Sequence, residues 1–261
     1  MEKLAIISLE KVLGNVEKLH ILTENKTKEI ESKRFVALNE LSRKMRISLN
    51  ALHYIPYEEY EVLCAPANLL YRSMITDLMT SLLISQVDDK QLEDVIYLFD
   101  FDFAKSLKNT LDANIEIRKM TYPDDTEAFE EQKKEYQEKL YDDLKDYLSS
   151  AKGEEWELKK HPPIYINGEK FDGQISQIYK ILKSFKEVAG YAYIYQYYKL
   201  FSQSEHFSIK GRIINYKQPF HDGYYNKVRW IIYLGTELLY NKYNVNYVVE
   251  SGIVYLLICQ Y

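Results

Sequence analysis

NLLYRSMITDLMTSLLIS, residues 68–85, decides the fold class. Leu69, Leu70, Met74, Ile75, Leu78, Met79, Leu82 and Leu83 spread round most of a helical circumference, so the stretch reads as a central, largely buried helix. Arg72, Thr76 and Thr80 form a polar line along it, flanked by Ser73 and Asp77. A guanidinium taken out of water costs several kcal/mol unless it is paired. Asp77, five residues on, is off the spacing that lets side chains meet on one helix. The partner of Arg72 is therefore expected from a different helix.

YAYIYQYYKLFSQSEH, residues 191–206, supplies candidates. At helical spacing Tyr191, Ile194, Tyr195, Tyr198 and Phe201 or Ser202 share a face that runs on to Glu205 and His206. Tyr198, Ser202 and His206 are four apart, so their side chains can form one hydrogen-bonded column. Either that column or Glu205 is the expected company for Arg72. The spacing suits a buried polar network as readily as a reactive one.

Composition supports a helical globule. The chain has 261 residues, 46% hydrophobic and 28% charged, which excludes wholesale disorder. Only 9 glycines and 6 prolines argue for long helices and few tight turns. The 25 tyrosines suit packed helices with hydrogen bonds at their margins, or a groove for a planar or sugar-like ligand. Two cysteines, Cys64 and Cys259, lie in apolar runs and read as buried free thiols in a reducing compartment. The amino terminus meets charge at Glu10 and Lys11 before any long apolar core, so neither a signal peptide nor a membrane anchor is expected. The net charge of -5 is uneven: residues 121–160 hold 13 acidic against 7 basic side chains, leaving 26 against 27 elsewhere. No basic domain stands ready for a phosphate backbone, and a nucleic-acid role would rest on a local patch.

Taken in order, residues 2–22 and 28–53 have helical periodicity, joined by a polar junction, TENKTKE. Lys33, Arg34, Arg43, Lys44 and Arg46 are the most basic cluster and read as a solvated helix face. Pro56 stops the second helix, and the central helix begins near Glu58 or Pro66. A helix over 89–119 starts at Asp88 or Asp89 as its cap, TYPDD is a stop followed by a start, and a charged helix follows with one thin apolar line. Asn167-Gly168 between Ile164, Tyr165, Ile166 and Phe171 is the pattern of a type I' hairpin within the longest irregular stretch, 149–173. Helices over 174–188, 224–241 and 245–259 complete the bundle, the last being too short and interrupted to span a membrane.

Several signatures are absent: a Gly-rich phosphate loop, HExxH, CxxC and GxSxG. His221-Asp222 resembles the central dipeptide of HD-type metal phosphohydrolases, with His161 or His206 as further ligands, but two residues do not make a metal site. Ser202 and His206 on one helix leave no evident oxyanion hole for acyl transfer.

The pairing of LLYRSMITDLMTSLLI with the later YYKLFSQSEHFS resembles a group of uncharacterised all-helical bacterial proteins, over roughly residues 66–239. That group is distantly similar to HEPN domains, many of which are ribonucleases in toxin or phage-defence systems. The resemblance implies a helical fold with no established activity. The usual arrangement of an arginine followed four to six residues later by a histidine is missing, since Arg212 and His221 are farther apart and fall in an expected loop.

The expectation is an all-α, cytoplasmic bacterial protein. It is a multi-helix bundle in one domain over 1–261, with a charged helix standing out at 124–150 and a small β-hairpin or ordered loop near 163–172. Its expected polar centre is Arg72, Tyr198, Ser202 and His206, in a binding or scaffolding module. The alternative is a HEPN-like nuclease or nucleotide hydrolase in a defence or toxin system, with His206 as base and Arg72 stabilising a phosphate. No cofactor, no metal and no membrane association are expected. The partner stays open, a homo-oligomer through the terminal aromatic helices included, and nucleic acid draws no support from the net charge.

Overall fold

The computed structural model describes residues 5–55, 60–160, 163–202 and 221–244, with the side chains of 60–65, 221 and 222 left aside. Within them run eight α-helices: α1 (Leu9–Glu29), α2 (Lys33–His53), α3 (Tyr60–Gln86), α4 (Asp89–Thr121), α5 (Thr126–Leu144), α6 (Ile175–Ser184), α7 (Tyr195–Ser202) and α8 (His221–Tyr243). The described strands are β1 (Ile164–Ile166) and β2 (Glu169–Phe171), paired as one hairpin. Asn167 and Gly168 at its tip have φ of 50° and 80°, the left-handed pair that a type I' turn demands. The chain is an all-helical protein with a small hairpin. Where the sequence reading takes it as one domain, packing divides it into two compact units, 1–92 with 166–169 and 174–261, and 93–165 with 170–173.

In the first unit α3 is the core, packed against α2, α6, α7 and α8. Tyr71, Met74, Ile75, Leu78, Met79, Leu82 and Leu83 are buried, whereas Leu69, also placed in the apolar set, is exposed. Gly235 lets α8 approach closely, since a Cβ there would lie 2.9 Å from Leu78 Cδ1. The carbonyls at the end of α3 are held by cations from two other helices. Arg34 of α2 donates to the carbonyls of Ile84 and Val87 and meets Asp89, and Lys242 of α8 donates to that of Ser85 at 2.7 Å. Positive charge is favourable at a helix C-terminus, where carbonyls lack intrahelical partners.

Two expected boundaries move. The first helix starts at Leu9, capped by Ser8, rather than at residue 2. The segment before it is extended because α8 supplies its hydrogen bonds: Ile7 N donates to Asn226 Oδ1 at 2.8 Å, and Asn226 Nδ2 and Trp230 Nε1 donate to the Ala5 carbonyl. The junction TENKTKE is helical to Glu29. Thr23 and Thr27 bond back to carbonyls of the preceding turn, and Lys28 pairs with Glu24 four residues earlier. The basic cluster of α2 is parcelled out, Arg43 to Glu40, Lys44 to Asp77 and Arg46 to Glu17.

In the second unit α5 lies against α4. Ala104, Leu144, Leu148 and Trp156 form its core, with Leu107, Leu111, Leu140 and Leu158 packed on them. The chain after α5 folds back through an antiparallel bridge between Leu148 and Leu158, which seats Trp156. The start of α4 is a reciprocal cap: Gln91 N donates to Asp88 Oδ1 at 2.8 Å and Asp88 N to Gln91 Oε1. Asp112 is held below its usual range: burial opposes this, but Lys108 and Lys133 outweigh it.

Candidate functional site

Arg72 projects from α3 toward α7, where a 3-10 turn, Tyr191–Ile194, leads into the helix. One of its Nη atoms donates to Tyr198 Oη at 3.2 Å, and the guanidinium carbon lies 5.0 Å from the centre of the Tyr198 ring. One phenol thus meets the cation with both hydroxyl and π face. The buried members of the α7 face are Tyr191, Ile194, Tyr195 and Phe201. Ser202 does not join a column with Tyr198: its hydroxyl donates to the Lys199 carbonyl at 2.8 Å, a local bond that the helix end leaves open. His206 and Glu205 lie outside the described residues, as do Pro56, His161, Arg212, Cys259 and the expected helix over 245–259. The side chains of Cys64, His221 and Asp222 are likewise not described.

Tyr198 is one end of a stack. Its ring lies 5.7 Å from Tyr195 at an interplanar angle of 16°, and Tyr195 lies 4.9 Å from Tyr179 of α6 at 23°. Lys199 Nζ is 4.9 Å from the Tyr195 ring and Lys183 Nζ is 5.4 Å from the Tyr179 ring. Three rings therefore carry three cations. Burial raises the Tyr195 phenol above its ordinary range, with Tyr198 adding to the rise. The sequence reading omits this set, although Tyr179 with Lys183 and Tyr195 with Lys199 are each four apart, a spacing at which helical side chains meet.

A second aromatic group centres on Tyr71. That ring stacks on Tyr225 of α8 at 4.6 Å and touches Phe201, Arg229 Nε donates to its hydroxyl at 2.7 Å, and Tyr225 donates to Asn68 Oδ1. Asp77, buried on α3, meets Lys44 at 3.1 Å and leaves Oδ2 without a hydrogen-bond partner. His20, also unremarked in the sequence reading, is buried between α1 and α2 with Nδ1 3.3 Å from Ser42 Oγ.

Among the described residues no three His, Cys, Asp or Glu side chains gather to hold a metal ion. None of the described helices is long and apolar enough to cross a membrane. No family model matches the chain, and no curated protein or solved structure is similar enough to it to show kinship.

Proposed function

We propose that the chain is a binding or scaffolding module whose working region is the junction of α3, α6 and α7. One observation carries this reading: Arg72 is engaged by both the ring and the hydroxyl of Tyr198, while Ser202 spends its hydroxyl on its own helix. A phosphate-stabilising arginine and a reactive hydroxyl are better served by groups aimed at a substrate. Here Arg72 joins α3 to α7, and Ser202 bonds a carbonyl of its own helix. Two cysteines lying in apolar runs support a reducing compartment, the cytoplasm, for the module.

A double-mutant cycle tests the structural role. Arg72→Met, Tyr198→Phe and the double variant are unfolded in urea, and a coupling of about 0.5–1.5 kcal/mol is expected. Labelled RNA and nucleoside triphosphates incubated with the wild type should stay intact. Hydrolysis that disappears in folded Arg72→Met and His206→Ala proteins would replace this reading with that of a nuclease or nucleotide hydrolase.

A further inference from the structure

We infer that the α6–α7 face binds single-stranded nucleic acid, its phosphates taken by Lys183 and Lys199; this rests on the binding reading above and names its ligand. The two lysines sit against neighbouring rings of one stack. Tyr179, Tyr195 and Tyr198 stack nearly parallel, and each ring has one cation within 5.4 Å of its centre.

Lys183 and Lys199 are exposed and form no ion pair among the described residues. Lys180 and Lys186 of the same stretch likewise form none, whereas Lys28, Arg43, Lys44, Arg46, Lys119 and Lys152 each sit beside a carboxylate. The surrounding sequence has the same bias: residues 174–202 contain four lysines against one glutamate, in a chain of net charge -5. Positive charge left without a carboxylate attracts a polyanion and releases the counterions condensed on it.

The rings argue for a single strand. Holding a lysine over an aromatic face restricts its rotamers before any ligand arrives, so less order is lost on binding. Tyr193, edge-to-face with Tyr179 and 38% exposed, adds ring surface on which an unpaired base can stack. A duplex hides its base faces, and polyphosphate has none. A strand with phosphates and free bases alone uses both halves of the face.

The test is fluorescence anisotropy with the full chain and three probes: a labelled single strand of about 12 nucleotides, the matching duplex, and inorganic polyphosphate as competitor. The single strand should bind most tightly, with an affinity that falls linearly on logarithmic axes as salt rises. Lys183→Ala with Lys199→Ala should weaken it roughly 25-fold at about 0.1 M salt and make the salt slope shallower by about 1.4, as expected for two lost phosphate contacts. Tyr193→Ala should weaken binding without changing the slope. Lys152→Ala, which removes an ion-paired lysine of the other unit, should change neither. Unaltered binding in the double lysine variant, or polyphosphate displacing the strand as well as the strand displaces itself, overturns the inference. So does a wild type that binds none of the probes. In that case the binding reading survives with another ligand, because the Arg72–Tyr198 cycle and the hydrolysis assay judge it independently.

Discussion

Asp77 shows how one buried group can set a pH dependence. Its side chain is 3% exposed, one oxygen faces Lys44, and the other has no hydrogen-bond partner. Burial pushes its carboxyl above the ordinary value of 3.8, Lys44 offsets part of that rise, and Glu40 adds to it. The folded protein therefore holds this proton more tightly than the unfolded chain does. The associated stability is fully present below the unfolded value and is lost as pH rises through the folded one. Asp77→Asn removes the titration, so urea midpoints of the variant should improve relative to wild type as pH goes from about 4 to neutral. A constant difference between the two proteins across that window would show that Asp77 does not carry the effect. The sequence marks Asp77 only as badly spaced from Arg72; its lysine sits on another helix, 33 positions earlier in the chain.

At the level of single helices, two glycines make a matched test. Gly14 lies inside α1, and a Cβ built there meets nothing within 4 Å, so Gly14→Ala should stabilise by about 0.5–1 kcal/mol through helix propensity. Gly235 lies inside α8, where the same methyl would meet Leu78 at 2.9 Å, so Gly235→Ala should cost about 1–3 kcal/mol despite the same propensity gain. Thermal or urea unfolding of both variants reads the contrast, and equal signs would contradict the packing of α8 on α3. Helix ends teach a related lesson. The cap at Asp88 and the hairpin tip at Asn167-Gly168 are legible because a cap or a turn is completed within four residues. The true start of α1 is not legible from periodicity, because Ala5 and Ile7 find their hydrogen bonds on Asn226 and Trp230 of α8.

For the molecule as a whole, Trp156 is the informative residue. It is 1% exposed, yet it falls in the stretch 149–173 that reads as irregular, and it anchors the unit built on α4 and α5. Trp156→Ala should cost about 3–5 kcal/mol there. In hydrogen exchange the amides of α5 and of 145–158 should lose protection while those of α1 to α3 keep theirs; equal losses in both sets would mean that the units unfold as one. The sequence by itself determined what local rules can encode: helices throughout, a buried α3 from the apolar residues around its circumference, a type I' hairpin from Asn167-Gly168, and a guanidinium at Arg72 that its own helix cannot satisfy. Only the tertiary structure decided that Tyr198, 126 residues away, meets it, and that Lys183, Lys199 and Arg72 each lie against a ring of one stack. Periodicity shows which face of a helix turns inward; which other helix fills the space opposite depends on the fit of side chains brought together from across the chain.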